Sequence, residues 1–486
     1  MNRKHIIAVD QSTSASKVFL LDDGGKIIRR FSRDHRQYYP GSGRVEHDAD
    51  EIRQNVFDGI RLLASGDIRV SGIAISNQRE TTVFWHRTTG EPLCPAVVWQ
   101  DVRGETLYDD FAPHADRVRL ISGLTLSAYF PALKIASKMR EEPRLETLAK
   151  EGNLCIGTVD SYLIYCLTGG RVFATDVSNA SRTQLMEIKS LKWSDELCRV
   201  FGIPRDCLPR ILPSDTLFGV TGAEGIPQGI PITGVMGDSH AAFFGQGCHQ
   251  IGMVKATYGT GSSVMMNVGQ EPALSSHGLS TSVGYSFRGE TCYVLEGNVT
   301  SSGDTLKWLR DEAGLVEDIA QVETIAAQCE DSGGVYMVPA FSGLGAPYNL
   351  PGARAIICGI SRCSTKAHII RAALESIAYQ DADVILAMKD DTGADLSELR
   401  VDGGPSANAL LMQIQADILG CPVQCAPVSE LSALGAGYMA GMTLGVFTDM
   451  TDLGHSGGAR YEPQKSSSWR EEALSLWRRA VHQSAQ

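Results

Sequence analysis

An α/β protein of two similar halves is the fold class this sequence predicts, and three observations predict it. A β-branched run, Ile6 to Val9, stops at Asp10, and after a short polar connection a second apolar run extends from Lys17 to Leu21; the pair reads as a hairpin. About half a chain later, GMVKATYGTGSSVMMNVG (residues 252–269) repeats the layout, with a strand ending near Tyr258, a tight Gly259-Thr260-Gly261 turn and a strand returning from Val264. In LRVDGGPSANALLMQIQADILG, a strand ends at Asp402, the chain turns at Gly403-Gly404, and an amphipathic helix starts near Ser406.

Each element carries a chemical implication. The connection Asp10 to Ser16 holds only small hydroxyl, amide, methyl and carboxylate side chains, so main-chain N–H groups lie open to an anion. Asp10 is then left to hold a metal ion or its waters. Backbone N–H groups at the Gly403-Gly404 strand-to-helix turn suit a nucleotide. Singly, each turn is as consistent with an ordinary polar turn; in this order they point to a phosphate ligand shared between two facing units.

Composition bounds the classes. A chain of 486 residues exceeds one ordinary core, so two or more domains are expected. With 44 Lys+Arg against 56 Asp+Glu, the net charge of −12 argues against a nucleic-acid partner, though a local basic pocket for a nucleotide fits. The 12 cysteines are scattered, and the nearest pairs, Cys358 with Cys363 and Cys421 with Cys425, lack a Cys/His set at zinc spacing. Reduced thiols of a cytoplasmic protein are expected. The N-terminal apolar stretch is cut off at Asp10, too soon for a signal-peptide core. Leu431 to Phe447 is uncharged but falls short of the ~20 residues of a membrane span. It is also laced with Gly435, Gly437, Gly441 and Gly445, so a close-packed buried helix is expected and no membrane partner. SWREEALSLWRRAVHQ, near the C-terminus, has the spacing of a closing surface helix.

Over nearly its whole length the chain resembles the FGGY carbohydrate kinases, and within them it is most similar to the glycerol kinases. The motifs that carry the likeness include VDQSTSASK, GRVEHDADEI, SNQRETTVFW, VVWQDVR, TDVSNASRTQL, GDSHAAFFGQG, TYGTGSSVMMN, VPAFSGLGAPY and GISRCSTKAHIIRAALES. The resemblance implies two domains of the actin and Hsp70 (ribonuclease H-like) ATPase fold, residues 1–246 and 247–486, each with a central mixed sheet, closing over an ATP cleft. It further implies ATP and Mg²⁺ as cofactors and a small polyol or sugar as phosphoryl acceptor. Asp238 matches the family's catalytic base and Asp10 its metal-facing carboxylate. Ser12, Thr13, Ser14, Lys17 and the turn Gly259, Thr260 and Gly261 match the phosphate side, and Gly303, Lys307, Gly404 and Asn408 the adenosine side. The acceptor set corresponds to Arg79, Glu80, Trp99, Tyr129 and Asp238, in which charge-assisted hydrogen bonds meet vicinal hydroxyls while aromatic faces cover the carbon edge.

Four positions depart from the family pattern. Ser12 replaces a glycine, which strains the turn if that residue needs a positive φ. Ser239 follows the base where glycerol kinases carry Gln, Ser263 follows the glycine turn where they place an aromatic, and Ser137 stands where Trp is frequent. A pocket with less bulk is roomier. A longer polyol or ketose, such as a tetritol, pentitol or pentulose, is therefore an alternative acceptor to glycerol. A reading from another class, an ATP-switched binding protein or sensor on the same fold, gives no reason for the set around Asp238. Whether the chain forms a homo-oligomer is left open.

Overall fold

The computed structural model describes residues 4–66, 68–448 and 457–486. The first hairpin forms as its pattern demands: β1 (His5–Gln11) and β2 (Ala15–Leu21) pair antiparallel with Asp10 opposite Lys17. The ladder runs closer to the turn than the apolar runs suggest. Gln11 and Ser16 are paired, which reduces the connection to Ser12, Thr13 and Ser14. β3 (Ile27–Asp34) extends the hairpin, β4 (Val70–Asn77) joins β1 in parallel, and β5 (Gly219–Val220) and β6 (Pro231–Gly237) complete a mixed sheet ordered β5-β6-β4-β1-β2-β3. Helix α1 (Ala49–Leu63) covers one face, coming so near β2 that a Cβ on Gly59 would meet Val18 Cγ2 at 2.4 Å. Helix α2 (Val159–Leu167) shares that core, and β6 leads directly into α3 (Asp238–Gly245).

The second half repeats the plan. β7 (Met253–Tyr258) and β8 (Ser262–Gly269) form the second hairpin, extended by β9 (Ser280–Phe287) and β10 (Glu290–Val299). After α4 (Gly303–Asp311) and the long α5 (Lys366–Thr392), β11 (Glu398–Gly403) returns parallel to β7, as β4 does to β1. The strand-to-helix turn departs from expectation. A 3₁₀ turn, Gly404–Ala407, intervenes, and α6 (Ala409–Leu419) starts after Asn408, whose side chain caps it by accepting from the Leu411 amide at 2.9 Å. β12 (Val423–Cys425) and, later, β13 (Arg460–Tyr461) complete the order β9-β10-β8-β7-β11-β12-β13.

Between β12 and β13 comes α7 (Leu431–Thr443), the glycine-laced segment, and it packs on the sheet of the other half. Its glycines are the reason it fits. A Cβ on Gly435 would stand 1.8 Å from the Ala241 carbonyl oxygen of α3, and one on Gly437 would meet Leu21 Cδ1 at 2.4 Å. α7 and α3 together cover the face of the first sheet that carries Ile6, Ala8, Phe19, Leu21 and Ala74. No helix among the described residues is long and apolar enough to cross a membrane. The closing helix, α8 (Ser467–Ser484), buries Trp477 flat against Tyr379, the rings 5.1 Å apart, with the indole N–H donating to Asp383 at 2.6 Å. All twelve cysteines are free thiols, most of them buried.

Candidate active site

The two hairpin turns offer matching donors. Ser12 is absent from the residues with positive φ. Its amide and hydroxyl both donate to the Ala15 carbonyl at 2.9 Å, so the turn adapts to serine and the hydroxyl is spent inside it. The amides of Thr13 and Ser14 have no partner among the described residues, and neither do those of Thr260 and Gly261 in the second turn. Thr13 is fixed by its neighbours: Trp99 Nε1 donates to its hydroxyl at 2.9 Å and His35 Nε2 lies 3.0 Å from its carbonyl. The glycine turn is pinned to the start of α4, with the Gly303 amide donating to the Gly259 carbonyl at 3.0 Å. Gly303 has to be glycine here, since a Cβ would approach that carbonyl to 2.5 Å.

Asp10 is buried at the end of β1, and Ser76 on β4 donates to it at 3.3 Å. Burial first, and then the charge of Asp238, push its carboxyl up to about 6, against the pull of Lys17. Asp238 is the first residue of α3, not its cap, which is Gly237; its carboxylate accepts the Ser239 amide at 2.6 Å. Burial raises its pKa too, and Arg79, with Nε 3.4 Å away, opposes the rise. Gly237 makes that approach possible, because a Cβ there would meet Arg79 Cγ at 2.5 Å.

Arg79 has a partner the sequence did not indicate. Its two terminal nitrogens pair bidentately with Glu296 on β10, at 2.8 and 2.9 Å, each with a second N–H left over, while Nε faces the base. Arg182 completes the set, with Nε donating to Glu80 at 2.7 Å and a terminal nitrogen 2.9 Å from Glu296. Burial works against the charged form of Glu296, but Arg182 and Arg79 outweigh it and hold its carboxyl well below the usual carboxylate range. Glu80 has a left-handed φ of 62°, an arrangement that costs a non-glycine residue energy and persists where surroundings dictate it. Here Arg182 holds one of its oxygens, leaving Oε2 unengaged by any hydrogen bond among the described residues.

The aromatic members also meet. Trp99 and Tyr129 stand edge to face, 6.0 Å between centroids. Both backbones are gripped by the fully buried Lys134, whose ammonium donates to the Trp99 carbonyl at 2.8 Å and the Tyr129 carbonyl at 2.7 Å. Burial pushes the Lys134 pKa down to about 7. Ser137, one turn on, has its hydroxyl 3.4 Å from Glu141. Ser239 lines the central cleft, while the Ser263 hydroxyl is buried without a partner.

A cavity of about 630 Å³, a size suited to a nucleoside, opens beside the second turn, with Gly303, Leu306, Lys307, Ile319, Gly404 and Asn408 among its lining. Next to it lies a cleft of about 830 Å³ that includes Asp238, Ser239, Lys255, Thr257 and Asp402. Glu296, Arg182, Lys134 and Lys255 were missed from sequence. The available signal was a lone charge within an apolar strand, as in YVLEG and GMVKATY. The donors suit Mg²⁺: Asp10 and Asp238 feel each other's charge, and no group of three or more His, Cys, Asp or Glu among the described residues closes a cage. Mg²⁺ is commonly held by one or two carboxylates with substrate phosphates supplying further oxygens.

A cleft with nucleotide-sized space on one wall, open turn amides on both, and a carboxylate between them is how a phosphotransferase of the actin and Hsp70 ATPase fold is organised. Comparison with known proteins narrows the class. The chain belongs to the FGGY family of carbohydrate kinases: residues 5–245 match its N-terminal domain and residues 254–444 its C-terminal domain. It is 45% identical to the glycerol kinase of Dechloromonas aromatica, covering 99% of this chain and 97% of that one. It is 42% identical to glycerol kinase 1 of Thermotoga maritima, covering 98% and 99%. The crystal structure of Plasmodium falciparum glycerol kinase with ADP superposes with a TM-score of 0.96 at 33% identity, covering 100% of this chain and 99% of that chain. A gluconate kinase from Lactobacillus acidophilus, at 21% identity and a TM-score of 0.89, shares the fold.

Proposed function

We propose that this kinase transfers the γ-phosphoryl group of ATP to a terminal hydroxyl of glycerol. The observation that carries the reading is the placement of Asp238: its carboxylate lies beside Arg79 Nε at 3.4 Å, in the same ion network as Glu80. Relatives named glycerol kinases, 42–45% identical across the whole length, support the choice of acceptor.

In this reading the acceptor hydroxyl lies against Asp238, which takes its proton as the oxygen–phosphorus bond forms. The bond from the γ-phosphorus to the bridging oxygen breaks, and its electron pair leaves with ADP. Arg79, held by Glu296, fixes the base and favours its anion. Glu80 Oε2 accepts from a second hydroxyl, and the Trp99 and Tyr129 rings cover the carbon edge. The amides of Thr13, Ser14, Thr260 and Gly261 receive the phosphates, with Lys17 beside Asp10, and the adenosine lies by Gly303, Lys307, Gly404 and Asn408. Asp10 would hold Mg²⁺, which would supply neutralisation of the phosphate charge. The halves that close over this cleft are residues 1–246, together with the covering helix α7, and the rest of 247–486, and the enzyme works in the cytoplasm.

A second reading, a longer polyol or ketose as acceptor, draws on the small Ser239 and the unpartnered Ser263 hydroxyl. Steady-state kinetics with glycerol, tetritols, pentitols and ketopentoses separates the two. Glycerol is expected to have the highest kcat/KM by roughly 10-fold or more, the discrimination a methylene-sized difference delivers. A similar lead for a larger acceptor, shifted toward glycerol by Ser239→Gln with Ser263→Phe, would establish the second reading. No phosphorylation of any of them would overturn both.

A further inference from the structure

We propose that Lys255 is a catalytic residue: its ammonium meets the γ-phosphoryl group and holds its charge during transfer to the acceptor. The proposal rests on the phosphotransfer reading above and adds, on the second hairpin, a cation to the one, Lys17, that the reading places on the first. A transferring phosphoryl group spreads negative charge over three oxygens, and fixed cations that meet it there lower the barrier.

Most of the neighbouring cations are already engaged. Arg79 and Arg182 are bound to Glu296 and Glu80, and Lys134 to two carbonyls, whereas Lys17, half-buried and across the ladder from Asp10, stands on the first hairpin. Arg400 is held by Glu398 and the Gln246 carbonyl.

Lys255 differs from the paired cations, and from Lys17 by its near-complete burial. It is 1% exposed and makes no hydrogen bond or ion pair among the described residues, yet it lines the central cleft with Asp238, Ser239, Thr257 and Asp402. Burying an ammonium without a partner is costly, and nothing in the packing of β7 requires a charge at that position.

Its place in the strand explains where it acts. Lys255 shares a face of β7 with Thr257, which is paired with Asp402, and the strand runs straight into the Gly259-Thr260-Gly261 turn. The cleft lined by Asp238 therefore also holds an uncommitted cation, and the phosphate turn at the end of the same strand lines the adjoining cavity. Asp402 does not fill that need: one of its oxygens accepts from Gln246 at 2.9 Å, and the other is buried without a partner. In the step itself Lys255 neither gains nor loses a proton. The proton goes to Asp238, the electron pair leaves with ADP, and the ammonium hydrogen-bonds the equatorial oxygens.

The test compares nucleotides that differ in the γ-phosphoryl group. Binding of ADP and of the methylene-bridged ATP analogue is measured by calorimetry with Mg²⁺, beside steady-state kinetics, in the wild type and Lys255→Met. The expected result is an unchanged Kd for ADP, selective weakening for the analogue, and kcat lower by ~10²-fold or more with acceptor KM little altered. Equal weakening for both nucleotides, or kcat within about fivefold of wild type, would overturn the proposal. If Lys255→Met does not fold, Lys255→Arg decides the matter: preference for the analogue over ADP survives if a cation faces the γ-phosphoryl, and loss of that preference with ADP affinity intact overturns it. A wild type that phosphorylates no acceptor yet binds the analogue through Lys255 would sink the acceptor assignment and leave this one standing.

Discussion

At the scale of residues, the site depends on which charges are committed and which are free. Asp238→Asn keeps the shape and removes the proton acceptor. Turnover is expected to fall by ~10²-fold or more while binding of both substrates holds; parallel rate and affinity measurements check it, and retention of a tenth of the rate would exclude a base role. His47 gives a pH-dependent counterpart. Burial, with His35 adding to it, lowers its pKa from 6.5 to about 3. Between those values the unfolded chain takes up a proton that the folded one refuses, so stability present above pH 6.5 is lost as pH falls, by up to ~1.4 kcal/mol per unit. Urea unfolding at pH 7, 6 and 5 should show a shallower decline for His47→Gln; coincident slopes would place the proton elsewhere. Asp10 stood out in sequence because it ends an apolar strand, and Asp238 was singled out by the family resemblance. The deployment of Arg79 was not legible, since its partner Glu296 lies 217 residues away and on another sheet.

At the scale of elements, both hairpins and the strand ending at Asp402 were legible, because β-branched runs that stop at glycine or small polar residues admit few other readings; that a third strand joins each hairpin in parallel was not. The start of α6 was misplaced for a local reason. Ser406 resembles a cap, but its hydroxyl turns back to the Gly403 carbonyl at 2.6 Å, and Asn408 does the capping. The burial of α7 could be anticipated from its glycines, though not which sheet it would cover. Its crossing with α3 is tight enough to predict a cost: Gly435→Val drives side-chain atoms into the α3 backbone and should destabilise the protein by at least ~1–3 kcal/mol. Thermal unfolding checks this, and Ser432→Ala, outside that crossing, serves as the comparison. A Gly435→Val protein as stable as the wild type would mean that the helices separate freely.

At the scale of the molecule, two repeats of one plan are interleaved rather than simply joined end to end. The first sheet owes one of its covers to α7, from late in the sequence. A fragment ending at residue 246 should therefore lack a cooperative thermal transition and bind apolar dyes, whereas the full chain melts cooperatively; a fragment that folds sharply by itself would contradict this. The same arrangement has a consequence in time. About 200 residues separate Gly237, where the first sheet is finished, from Leu431, and at ~5–20 residues per second a ribosome needs roughly 10–40 s to make them. Throughout that interval the nascent chain presents Ile6, Ala8, Phe19 and Leu21 without their final cover. The messenger's rate of translation and the supply of chaperones at the exit tunnel, more than the stability of the finished enzyme, are then expected to set how much active protein a cell obtains.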